Sequence, residues 1–297
     1  MADICPITKV EKILLSTDGT EFSEGAVREA IRLAKRCSSK LNAITVIETN
    51  PEYGTIAPQV VEKLEKEVRA QLEIVHNRAK KDGVECGTAI YEGEDSYRYI
   101  VDEAAKQKST MIVMGRRGKR GLKRLVMGST TAWVIGHSPC SVLVVPRAAQ
   151  VEYKNILVAT DGSKYSVAAA SEAIGIAKLN KSMLTVIAVV PAELASPADV
   201  DLGMGQREKI ADQVMHEAEK SAKAVKEAAQ KEGVSVHAYI MTGRPADAII
   251  ETAKDKGADL IVVGSHGRTG LDRLLMGSVA ERVIVLSNSA VLVVKGK

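Results

Sequence analysis

The sequence predicts an α/β fold built twice: two units in tandem, each a parallel β-sheet with helices on both faces. Three observations carry this. Valine-rich apolar runs alternate with helical segments, the pattern of a buried parallel sheet. Apolar residues make up 45% of the chain and aromatic residues only 3%, so the core is aliphatic. The chain also repeats itself: KILLSTDGT at 12–20 returns as NILVATDGS at 155–163, and residues 111–146 align without gaps on 260–295 with 18 identities in 36 positions. A length of 297 residues suits two domains. The joint near 147–152 is short, polar and small-residued, so the expected units are residues 1–148 and 149–297, packed on one another.

Each unit reads in the same order. A strand (13–17; 156–160) ends at Asp-Gly. A helix rich in small and apolar residues follows (23–36; 166–179), then a second strand (41–47; 183–190) and a loop containing prolines. The next helix is long and amphipathic, with Val61, Leu64, Val68, Leu72, Val75 and Ala79 recurring every three or four residues. Ile210, Val214, Ala218, Ala222, Val225 and Ala229 repeat that stripe. Gly83 and Gly233 end these helices, because glycine readily takes the left-handed C-terminal conformation. A third strand, a third helix and the aligned strand–loop–helix–strand block complete the unit. Strict alternation of strand and helix implies parallel strands joined by right-handed crossovers.

Composition narrows the function. No apolar run reaches the length of a membrane span and MADICPITKV is not a signal peptide, so a cytoplasmic protein is expected. Cys5, Cys37, Cys86 and Cys140 stand far apart with no CxxC, and are expected as reduced thiols in packed positions. The net charge is +4. Residues 1–149 hold 23 basic against 19 acidic groups and residues 150–297 hold 18 of each. The excess gathers at Arg116, Arg117, Lys119, Arg120, Lys123 and Arg124: either a solvated surface or a site for a polyanion such as a phosphate tail. Nucleic acid is disfavoured, because no aromatic residues interleave with these charges.

Ligands of open parallel sheets bind outside the carboxyl ends of the strands, where strand order reverses. There the sequence puts Gly115-x2-Gly118, nine residues, then Gly128-Ser129. The second copy has Gly264-x2-Gly267, nine residues, then Gly277-Ser278. Glycines admit a ligand to main-chain N–H groups, and a helix start favours an anion. Ser129 and Ser278 add a hydroxyl or simply cap the helix. Asp18 and Asp161, at the end of the first strand, are turn formers, or ligands of a nucleotide-bound Mg²⁺, or partners of a ribose or base donor. GxxxxGK[ST], a GxGxxG after the first strand, HExxH and GxSxG are all missing. His266 lies inside the second loop. His76, His137, His216 and His237 have no evident catalytic partner.

The G-x2-G-x9-G-(S/T) loop, the strand-one aspartate and the VLVV ending together resemble the universal stress protein (UspA) family. The resemblance runs once through each repeat. It implies two tandem Rossmann-like (adenine nucleotide alpha hydrolase-like) domains, each a five-stranded parallel sheet of order 3-2-1-4-5. It also implies pairing of the halves through their fifth strands as an intramolecular pseudo-dimer, with further homodimerisation open. Both loops match the ATP-binding type of the family. Carried over, Thr17, Asp18 and Val46 would surround the adenosine, while Met114, Gly115, Gly118, Gly128, Ser129 and Thr130 would hold ribose and phosphates. In the second half the expected set is Thr160, Asp161, Val186, Val263, Gly264, His266, Gly267, Gly277, Ser278 and Val279. Mg²⁺ would enter with the nucleotide through Asp18 and Asp161. The first loop, GRRGKRG, replaces the Ser-His of the second, GSHGRTG, with arginines that either strengthen phosphate binding or block the site. GEDS at 93–96 likewise departs from GRPA at 243–246. The function expected is an ATP-binding regulatory or stress-protection protein, with no catalytic residue assigned. A weak ATPase or nucleotide-transfer enzyme is the alternative.

Overall fold

The structure is a computed structural model and describes residues 5–8, 10–49, 58–116, 127–195, 204–267 and 276–296. The chain divides into two compact units, Met1–Gln150 and Val151–Lys297. In the first, strands β1 (Lys12–Ser16), β2 (Lys40–Glu48), β3 (Cys86–Gly93), β4 (Met111–Gly115) and β5 (Ser141–Val145) alternate with helices. The helices are α1 (Glu24–Cys37), α2 (Pro58–Lys81), α3 (Ser96–Gln107) and α4 (Ser129–His137). The second unit repeats this with β6 (Asn155–Ala159), α5 (Lys164–Asn180), β7 (Met183–Val190), α6 (Met204–Lys231), β8 (Val236–Thr242), α7 (Pro245–Asp255), β9 (Leu260–Gly264), α8 (Ser278–Leu286) and β10 (Ala290–Val294). A one-turn helix, Ala192–Ala195, has no described counterpart in the first unit.

Within each unit all strands run parallel, in the order β3-β2-β1-β4-β5 and β8-β7-β6-β9-β10. Each is a Rossmann-like sheet in which the order reverses beside the first strand. The central strands are sealed on both faces: Ile13, Leu14 and Leu15 of β1, and Ile156, Leu157 and Val158 of β6, are at most 1% exposed. This explains their continuous apolar runs, which alternation would have broken had one face met water. The long helices end as the sequence predicts, at Lys81 and Lys231, with Gly83 and Gly233 at φ +76° and +72°.

The first strand is seated by polar clamps at its entry. In unit one, the Thr110 hydroxyl accepts from the amides of Glu11 and Lys12. In unit two, Asp259 accepts from Tyr153, Lys154 and Asn155 at 2.7–3.0 Å. Ser39 and Ser182 donate to the carbonyls of Val10 and Tyr153. These bonds set the first strand against the second and the fourth, and so fix the crevice at the opposite, carboxyl end.

One expectation is corrected here. Cys5 and Cys37 form a disulfide, with Cα atoms 4.3 Å apart across a separation of 32 residues. The segment before β1 runs back to the last residue of α1, a neighbourhood that cysteine spacing does not encode. Cys86 is a buried free thiol and Cys140 a half-buried one.

Candidate functional site at the strand ends

The crevice is built from two turns facing each other across the reversal of strand order. The first follows β1 and β6. Thr17 and Thr160 are buried, at 5% and 6% exposure. The Thr17 hydroxyl sits 2.8 Å from the Ser23 hydroxyl and accepts from the Gly19 amide. Thr160 makes the same pair of contacts with Ser166 and Gly162. The threonine side chains therefore shape the turn from within. Asp18 Oδ1 accepts from the amide and hydroxyl of Thr20, and Asp161 Oδ1 from the amide of Ser163. One carboxylate oxygen is thus a turn former. The other is not: Asp18 Oδ2 is buried with no hydrogen-bond partner among the described residues.

The second turn follows β4 and β9. Its first glycine has a packing role. A β-carbon on Gly115 would stand 2.9 Å from the Phe22 carbonyl oxygen, and one on Gly264 2.7 Å from the Tyr165 carbonyl carbon. These glycines let the strand end lie on the start of α1 and α5. Gly267 has a different neighbour: its β-carbon would lie 2.9 Å from Asp161 Oδ2. The strand-one carboxylate and the loop glycine therefore meet directly. Gly118 lies outside the described residues, as do Arg117, Lys119, Arg120, Lys123 and Arg124.

Both loops close in the same way. The Gly128 amide donates to the Arg116 carbonyl at 3.2 Å, and the Gly277 amide to the Ser265 carbonyl at 2.9 Å. Gly128 and Gly277 are the N-cap residues of α4 and α8, with no side-chain cap bond. Ser129 and Ser278 occupy the first helical position and are exposed. Their capping alternative is thereby excluded, and the N-cap glycine itself offers no side chain to the first-turn amides. Thr130 and Val279, one residue on, are half-buried. Met114 and Val263, near the ends of β4 and β9, are each 4% exposed. His266 places Nδ1 3.1 Å from the Ser265 hydroxyl, and its ring lies 5.1 Å from that of Tyr165.

The two valines carried over from the second strands are not equivalent. Thr17 and Thr160 donate to Ile44 and Ile187. Counting two residues on from each carbonyl matches Val46 with Val189, and both are half-buried near the strand end. Val186 lies three residues earlier, is 0% exposed and cannot line the crevice. The constant offset between repeats carried that signal. Nothing in the sequence pointed to Gln71, whose side-chain amide reaches the first turn from α2.

These features define a tandem Rossmann-like protein with one strand-end crevice per half, each ending on a glycine-capped helix start. The chain belongs to the universal stress protein family, whose model matches residues 9–146 and 152–295. It is 43% identical over 145 residues to a universal stress protein of Methanocaldococcus jannaschii, covering 48% of this chain and 82% of the relative. A universal stress protein of Mycolicibacterium smegmatis is 29% identical over 297 residues, spanning 95% of this chain and 96% of that one. Among solved structures, a universal stress protein of Archaeoglobus fulgidus covers 98% of both chains with a TM-score of 0.73 at 21% identity, a likeness of fold.

The residues present fit a nucleotide. The buried Asp18 Oδ2 has no donor among the described residues, the Asp161 carboxylate lies 2.9 Å from where a β-carbon on Gly267 would stand, and the helix starts beyond the loops have glycine, without a side chain, at the N-cap. Among the described residues no group of three or more His, Cys, Asp or Glu side chains could hold a metal ion by itself. None of the described helices is long and apolar enough to cross a membrane.

Proposed function

We propose that each half, residues 1–148 and 149–297, binds one ATP in this crevice, and that the protein acts by binding the nucleotide rather than by turning it over. The carrying observation is the pair of glycine-capped helix starts, Gly128-Ser129 and Gly277-Ser278, each closed by a backbone bond to the β4 or β9 end. Amides without a side-chain cap, at the positive end of a helix dipole, favour a phosphate. On this reading the amides of residues 129–130 and 278–279, with the serine hydroxyls and Gly118 or Gly267, hold the phosphates. Asp18 or Asp161 receives donors of the nucleoside, or a Mg²⁺ brought in by the phosphates. Val46 and Val189 flank the base, and Met114 and Val263 form the floor. His266 adds a neutral or cationic donor to the second site alone. The bound nucleotide would supply the phosphate charge to which a partner or a second conformation responds.

Calorimetric titration with Mg-ATP tests this. Two nucleotides should bind per chain, and Gly277→Val should remove one. A β-carbon at Gly277 meets its neighbours only at 3.4 Å and beyond, an ordinary contact distance, and the γ-methyls of valine should crowd the space over the amides. Titration without detectable heat or thermal shift in the unaltered protein would sink the proposal.

A further inference from the structure

The halves differ where their long helices meet the strand-one turn. Gln71, on α2, lays its amide on Gly19: Oε1 lies 1.7 Å from where a β-carbon would stand, and Gly19 holds φ +71°. Only a residue without a side chain admits this approach. Gln71 Oε1 is buried and has no hydrogen-bond partner among the described residues, and the same holds for Oδ2 of Asp18, one residue before Gly19. Two acceptors thus stand at one turn without a donor among the described residues, an arrangement that favours a group bringing N–H bonds to both.

The second half is built otherwise. Aligned from the helix ends at Gly83 and Gly233, Gln71 corresponds to Ser221 of α6. That hydroxyl donates to the Glu217 carbonyl one turn back, at 2.8 Å, and is spent on its own helix. Topology says which end of a ligand Gln71 meets. Helix α2 packs on β2 and β3, on the side of β1 away from β4. The anion-binding loop follows β4. A nucleotide with its phosphates at the start of α4 would therefore present its nucleoside end to Gln71.

We infer that Gln71, paired with Asp18, is the base-specificity residue of the first half: the two acceptors take the exocyclic amino group of adenine and disfavour a purine with a carbonyl there. Ser221 leaves the second half less selective. The inference rests on the nucleotide-binding reading above.

The test uses the full-length chain with Gly277→Val, so that the first half is read alone, titrated with Mg-ATP, Mg-ITP and Mg-2′-deoxy-ATP. ATP should bind at least about tenfold more tightly than ITP, the discrimination expected when buried polar groups lose a partner. Gln71→Ser should bring ATP to within about threefold of ITP, chiefly by weakening ATP. Gln71→Glu, which keeps an acceptor, should retain the preference and shows that the position tolerates substitution. If ATP binds but Gln71→Ser leaves the ATP-to-ITP ratio unchanged, the inference falls and the nucleotide reading stands. A changed ATP-to-2′-deoxy-ATP ratio, with ITP unaffected, also overturns it by moving the acceptors to the ribose. Binding confined to the second half overturns it as well. If the unaltered chain binds none of the three, the nucleotide reading itself fails.

Discussion

In Asp18 and Asp161 alike, Oδ1 closes the turn after the first strand, as the turn-former reading has it. Oδ2 of Asp18 has no hydrogen-bond partner among the described residues, which is what the ligand role proposed for it requires. The cysteines show the opposite relation of residue to sequence: similar in the chain, they differ by environment. Burial pushes the Cys86 thiol up to about 11, against a bond from the Ala43 backbone that lowers it. At pH 8 almost none of it is the nucleophilic thiolate. Alkylation of the native, unreduced protein at that pH should therefore mark Cys140 and spare Cys86, and mass spectrometry should find Cys5 and Cys37 unmodified until reductant is added. In the chain-entropy view, a bridge spanning 32 residues stabilises the first unit by about 3–4 kcal/mol, so Cys37→Ser should lower its denaturation midpoint. Labelling of Cys5 without reductant would remove the bridge from the account.

At the scale of elements, the repeats solve one packing problem in two ways. Between α3 and α4, the Tyr97 and Trp133 rings stack with centroids 5.1 Å apart. At the matching positions of α7 and α8, Asp247 and Arg282 form an ion pair at 3.1 Å. The ring pair contributes about 0.5–1.5 kcal/mol beyond the area it buries. The ion pair is half-exposed and is worth less than about 1 kcal/mol. Trp133→Ala should thus cost more than Arg282→Ala in urea denaturation. Raising the salt should erase the cost of the second and leave that of the first. Equal salt dependence would contradict this division. Where the sequence set both bounds, for the first two strands and the first helix of each unit, they were legible to within two residues because strand and helix periodicities are local. The left-handed caps of three helices were not. Ser38, Lys108 and Lys181 take the left-handed conformation at φ 52–54°, although none is a glycine. The amide that each offers to the last carbonyls of its helix outweighs the strain of a β-carbon there.

At the scale of the molecule, repetition made the fold readable: two copies of every signal separated a parallel sheet with strand-end loops from chance. The candidate crevice was legible where it is made of backbone, at the helix starts capped by Gly128 and Gly277, because glycine spacing records main-chain geometry directly. It was not readable where a side chain arrives from a remote helix, as Gln71 does, or where register matters, as with Val46 and Val189. The same asymmetry between copies gives the molecule a built-in reporter. Trp133, its only tryptophan, lies one helical turn beyond Ser129 in α4, 39% exposed and stacked on Tyr97 and His137. Filling the first crevice loads the start of that helix with negative charge and should change its fluorescence, whereas filling the second should not. A fluorescence titration with Mg-ATP should then follow one site while calorimetry counts two. Gly277→Val should leave the optical curve in place and halve the calorimetric stoichiometry. Gly128→Val should abolish the optical curve and leave one site in the calorimeter. If Gly277→Val removed the fluorescence change, or Gly128→Val left it intact, the assignment of a separate crevice to each half would be wrong.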